Sequence, residues 1–167
     1  MGVKRASAAK SVLAGFVGGI AGAWAMRRFS AAWRRFGGPS CAPPGKPYSS
    51  QEWDSAAGAA EFLAGILLGR RLSPGEKRQG AAAVHYAVGG LAAAGYALAA
   101  RPCPALRSGS GAGFGFAFWL LGDELAMPWL GLNAPRLHYS LPMQVNSLGE
   151  HLVYGFTAER VRRALQR

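Results

Sequence analysis

Two adjacent carboxylates, Asp123 and Glu124, stand inside the apolar run Phe118-Trp-Leu-Leu-Gly-Asp-Glu-Leu-Ala-Met-Pro128, and an acid-imidazole pair, Glu150-His151, stands in a later one. With His85 they are the side chains whose types could do chemistry. Carboxylates and imidazoles in apolar surroundings can take up or release protons across the physiological range, because burial and neighbouring charges move their ionisation. His85, His151 and a carboxylate would also suit zinc, iron or manganese, and two histidines on facing helices, each with a glycine four residues on, could ligate a haem. No local ligand motif such as HExxH accompanies them. A purely structural role is the third option: Asp123 and Glu124 at headgroup depth, touching water or paired with Arg136, and the histidines hydrogen-bonding between helices. Asp54, Glu61 and His138 are secondary members of the same set.

The chain contains no GxSxG, no phosphate loop and no GxGxxG in a strand-helix setting, so no enzyme and no resident cofactor is expected. Gly109, Gly111, Gly113 and Gly115 form two pairs spaced by four, the pattern of close helix contact.

The elements that must position these residues follow from composition. Of 167 residues 50% are hydrophobic and 16% charged, below the roughly 25% usual in soluble domains. Mean hydropathy is only +0.09 because so much of the apolar content is Ala and Gly. Such a chain suits thinly hydrophobic membrane helices packed through small residues. The net charge of +11 fits nucleic acid or an anionic membrane surface. The basic residues cluster at the ends of apolar runs and do not interleave with aromatics, which favours lipid headgroups, and no nucleic-acid partner is expected.

Four segments can be marked. Ser11 to Met26 is bracketed by Lys4, Arg5 and Lys10 and by Arg27, Arg28, Arg34 and Arg35; its rise of about 24 Å spans a bilayer only with help from snorkelling arginines. A cleavable signal peptide, with Ala-Trp-Ala at 23–25, is the competing reading, but arginines follow the supposed cut at once. Ser73-Pro-Gly-Glu76 is a capping box that starts a helix running to about Ala100, with an apolar stretch from Ala81. Gly109 to Met127 ends at Pro128. Met143 to Glu159 carries Gln144, Asn146, Glu150 and His151. A repeat supports it as a fourth span: Ala14-Gly15-Phe16 recurs as Ala112-Gly113-Phe114, and His85-x3-Gly89 recurs as His151-x3-Gly155.

Residues 37–50 read as a flexible linker, and residues 51–70 as an amphipathic surface helix. One face of that helix carries Trp53, Ala56, Ala57, Ala60, Leu63, Ala64 and Leu67; the other carries Asp54, Gly58, Glu61 and Gly65. The expected fold is a single all-α membrane domain, a four-helix bundle of two helical hairpins with this one surface helix. Four spans bring His85, Asp123, Glu124, Glu150 and His151 to one membrane rim, with Trp24 and Trp129 as belt residues there. They also place Cys41 and Cys103 on opposite sides, too far apart for a disulfide. The basic carboxyl end favours both termini in the cytoplasm.

At His85-Tyr86-x-x-Gly89, Trp119-x3-Asp123-Glu124-x3-Pro128-x2-Gly131-Leu132 and His151-Leu-Val-Tyr-Gly155, residues 75–163 resemble the YagU-like family of small bacterial inner-membrane proteins. The resemblance implies a multi-pass inner-membrane location and a link to acid resistance. It carries over no catalytic residue, and the linker is poorly matched. The function expected is that of a non-enzymatic membrane protein that responds to protons or contributes to acid tolerance, with anionic lipid and a membrane-protein partner or second copy as its contacts. The alternatives are a metal- or haem-binding subunit of a membrane redox or enzymatic complex, or a purely structural subunit.

Overall fold

A computed structural model of the chain describes residues 2–36, 55–131 and 141–167. Among these residues all regular structure is helical: α1 (Gly2–Arg35), α2 (Ser55–Leu68), α3 (Pro74–Ala99), a 3-10 turn (Pro104–Gly111), α4 (Ala112–Phe118), a π-helical stretch (Trp119–Ala126), α5 (Met127–Trp129) and α6 (Leu141–Gln166). Helix α1 lies between α3 and α6, α4 packs on α6, and α2 packs on α3.

Glycines on two edges of α1 set this order. Gly15 and Gly19 face α3, and a Cβ on Gly15 would stand 2.6 Å from the Ala93 carbonyl oxygen. One on Gly19 would run into the Gly89 carbonyl. Gly18 and Gly22 face α6, where Cβ atoms would come 2.5 Å from the Ala158 oxygen and 2.7 Å from the Tyr154 oxygen. Bare backbone on both edges lets two antiparallel neighbours approach at once, the use small residues have where side-chain burial supplies little. The rest of the core follows suit, since its buried hydrophobic residues are alanines plus Tyr96 and Tyr154. Large side chains point outward instead: Leu13, Trp24, Ile66, Leu67, Leu91, Leu121 and Trp129 are all more than half exposed.

Helix α3 starts where its capping box predicts. The Ser73 hydroxyl accepts from the Glu76 amide, and the Glu76 carboxylate accepts from the Ser73 amide at 2.9 Å. The Arg70 guanidinium, 2.6 Å away, and the Ser73 hydroxyl also donate to the exposed Glu76 carboxylate and pin it at the helix start.

Several boundaries differ from expectation. Helix α1 continues well past Ser11 and Met26 in both directions, because the flanking basic residues are good helix formers. In α2 the expected apolar face divides: Ala56, Ala57, Ala60 and Ala64 are buried, while Leu63 and Leu67 are exposed, since only the alanines allow close approach to α3. The segment from Gly109 is broken, with 3-10 geometry first and π geometry last. Of its two glycine pairs only Gly111 and Gly115 meet α6; an added Cβ on Gly113 would touch nothing. Gly111 also has a φ of +92°, a conformation that favours glycine. Trp53, Asp54, Cys41, Arg136, His138 and the linker lie outside the described residues.

Two helices, Ser7–Arg35 and Pro74–Ala99, are long and apolar enough to cross a membrane. Alanine substitutions should separate packing glycines from idle ones. Gly19→Ala and Gly22→Ala are expected to lower stability by about 1–3 kcal/mol through overpacking. Gly95→Ala and Gly113→Ala, with open space around them, should raise it by roughly 0.5–1 kcal/mol through helix propensity. Thermal unfolding of the four purified variants checks the opposite signs.

Candidate functional site

Helix α6 carries adjacent titratable residues that reach different neighbours. Glu150 turns to α1, where its Oε1 accepts from Ser30 Oγ and, within α6, from Asn146 Nδ2 at 2.8 Å. Ser30 Oγ in turn accepts from the exposed Arg34 guanidinium at 3.3 Å, so a polar path joins the end of α1 to the Glu150 carboxylate. His151 turns the other way. It is 4% exposed, its ring packs edge-on against Phe118, and its Nδ1–H donates to the Ser147 carbonyl at 2.9 Å.

The opposite ring nitrogen, Nε2, faces Asp123 Oδ2 at 3.8 Å. The π-helical stretch makes this approach. Phe118 faces His151, and an α-helical step of four would bring Gly122 round to the same side; the wider π turn brings Asp123 there instead. Because Nδ1 is the donor to Ser147, neutral His151 has its Nε2 lone pair directed at the carboxylate. Two acceptors then face each other in a largely enclosed site, and one proton placed between them converts the approach into a charge-assisted hydrogen bond.

The other expected members occupy different places. His85 donates from Nε2 to the Ala23 carbonyl of α1 at 3.1 Å, a tie between helices. Glu61 accepts from the Leu72 amide at 3.2 Å and pairs with Lys77 at 3.5 Å, joining α2 to the start of α3. Glu124 follows Asp123 in the π stretch, with its Oε1 enclosed. The structure thus brings Asp123, Glu150 and His151 together, and sets His85 and Glu61 on other contacts. Among the described residues no group of three or more His, Cys, Asp or Glu side chains could hold a metal ion.

The His-x3-Gly repeat has a structural counterpart. Gly89 packs against Gly19 in one hairpin and Gly155 against Gly111 in the other. The Ala-Gly-Phe match has none, since Gly15 lies at a helix contact and Gly113 in open space.

Sequence reasoning missed Ser30, and named Asn146 only as a polar residue of its segment, not as a partner of Glu150. It also missed a charged knot at the other end of α6. Glu159 is fully buried; Arg162 grips it with two bonds of 2.6 and 2.8 Å, Arg163 adds one of 2.6 Å, and the Tyr96 hydroxyl of α3 reaches it at 3.0 Å. The spacing of Glu159, Arg162 and Arg163 on one helix was the available signal. Nearby, the Tyr154 hydroxyl donates to the Gly89 carbonyl at 2.6 Å.

No family model, curated protein or solved structure matches the chain.

Removing one partner of the knot leaves a buried guanidinium without its counter-charge. Glu159→Gln is expected to cost about 3–5 kcal/mol, and a paired Glu159→Leu, Arg162→Met replacement should recover most of the loss. Unfolding midpoints of both variants measure this.

Proposed function

We propose that the chain is a four-span membrane protein in which Asp123 and His151, with Glu150 beside them, form a proton-responsive contact between α6 and its neighbours. The observation that carries the reading is the Nε2 of His151 directed at the Asp123 carboxylate across 3.8 Å while its Nδ1 is committed to Ser147. Proton uptake closes that gap and tightens α6 against the π stretch. Glu150, on the other side of α6, reports the same event to α1 through Ser30.

Membrane residence is supported by the distribution of side chains. The core is Ala and Gly while large apolar residues face outward, an arrangement that would expose far more apolar surface to water than soluble monomers do. Helices α1 and α3 are each long enough to span, and α4 with the π stretch and α6 run antiparallel beside them as the second hairpin. In this reading α2 presents Phe62, Leu63, Ile66 and Leu67 to lipid. The resemblance to the YagU-like family supports a bacterial inner membrane and a contribution to acid tolerance. The basic carboxyl end supports cytoplasmic termini.

The sign of the pH effect follows from the contact. The charge-assisted bond between His151 and Asp123 exists only in the folded chain, so acidification should raise its stability relative to variants that cannot form the bond. A charge-assisted bond of about 1.5–3 kcal/mol shifts the unfolding midpoint by roughly 3–12 °C at about 2–4 °C per kcal/mol. Asp123→Asn, whose amide can donate to neutral Nε2, should lose most of this dependence, as should His151→Gln. An unchanged profile in both variants contradicts the proposal.

A further inference from the structure

The end of the bundle opposite Glu150 carries an arrangement that the proton-responsive contact does not use. Arg107, Arg162, Arg163, Gln166 and Arg167 line an open groove of about 520 Å³. Its chemistry is one-sided. Arg162 and Arg163 are tied to Glu159, and Arg163 also donates to the Arg107 carbonyl at 2.9 Å. The guanidiniums of Arg107 and Arg167 have no carboxylate partner among the described residues. Four arginines stand there against the single side-chain carboxylate of Glu159.

Gln166 makes the same point independently. Its Oε1 accepts from Arg162, whereas its Nε2 is enclosed and meets no acceptor among the described residues. Gln166 Nε2 and the guanidiniums beside it are donors, so the groove fits an anion rich in acceptors. The guanidinium forks of Arg107 and Arg167, not committed to a carboxylate, suit the oxygens of a phosphate group.

The groove lies beside apolar surface. The Arg162 backbone nitrogen is 3.4 Å from where a Gly18 Cβ would stand, within the apolar part of α1. Leu106 and Leu165, adjacent in sequence to lining residues, are 44% and 47% exposed. We propose that the groove of Arg107, Arg162, Arg163, Gln166 and Arg167 binds a phosphate group, carried by an anionic phospholipid headgroup or by soluble phosphate. Only the lipid source rests on the membrane reading.

Thermal unfolding of the full chain in neutral detergent micelles separates the sources. Three additions are compared: phosphatidylglycerol, phosphatidylcholine and, at constant ionic strength, inorganic phosphate. Stabilisation by phosphatidylglycerol above phosphatidylcholine identifies a headgroup; stabilisation by inorganic phosphate alone identifies a soluble ligand. In either case Arg107→Ala with Arg167→Ala should weaken the apparent affinity roughly 30-fold, taking the surface attraction of each basic residue. Arg167→Gln alone, at an exposed position, should weaken it about fivefold and guards against misfolding of the double variant. No stabilisation by either phosphate source, or stabilisation that survives both variants unchanged, overturns the proposal. Neither arm depends on the pH response of His151, so the two readings fail separately.

Discussion

Backbone-to-backbone approach along α1 is the constraint on which the rest of the structure depends. Gly15 and Gly19 bring α3 in, Gly18 and Gly22 bring α6 in, and a methyl group at any of the four would force a helix away. Gly111, Gly115 and Gly155 repeat the device between α4 and α6. A core made of Ala and Gly loses little side-chain entropy on packing, but it also buries little apolar surface. Specific polar bonds therefore matter more here than in a core of leucines.

Those bonds sit where the close approaches put them. The Tyr154 hydroxyl reaches the Gly89 carbonyl, and the His85 ring reaches the Ala23 carbonyl, because α1, α3 and α6 are near enough for one side chain to cross the interface. The two ends of α6 then acquire different characters. Toward the start of α6, Glu150 and His151 have neutral or acidic partners. Toward its end, Glu159 is locked by two arginines, a knot that fixes the helix while leaving surplus positive charge beside it.

How much was legible in the sequence depends on the kind of signal each element leaves. The start of α3 was readable because Ser73, Pro74 and Glu76 form a capping box with a fixed local geometry. The pairing of Glu150 with α1 was not, since Ser30 lies 120 residues from it and carries no spacing rule. The π stretch left no periodic trace, yet it alone decides that Asp123 faces His151 in place of Gly122. The small-residue pattern was visible as composition. Which glycines meet a partner was not: Gly111 and Gly113 look alike in sequence, and only the direction of the helix distinguishes them. Likewise His85 was grouped with the carboxylates by depth, whereas its ring is directed at a backbone carbonyl.

The central claim is that helices α1, α3, α4 with its π extension, and α6 traverse a bilayer and place the Asp123-His151 contact near one face of it. Cys41 follows α1 and Cys103 follows α3, so in the four-span proposal one span separates them. Cys103 is free and exposed. A membrane-impermeant thiol reagent applied to intact bacterial spheroplasts expressing the chain is the direct measurement. The account predicts labelling of Cys41 alone, with Cys103 reacting only after the membrane is opened. Equal labelling of both cysteines from outside, or a disulfide joining them, would contradict it.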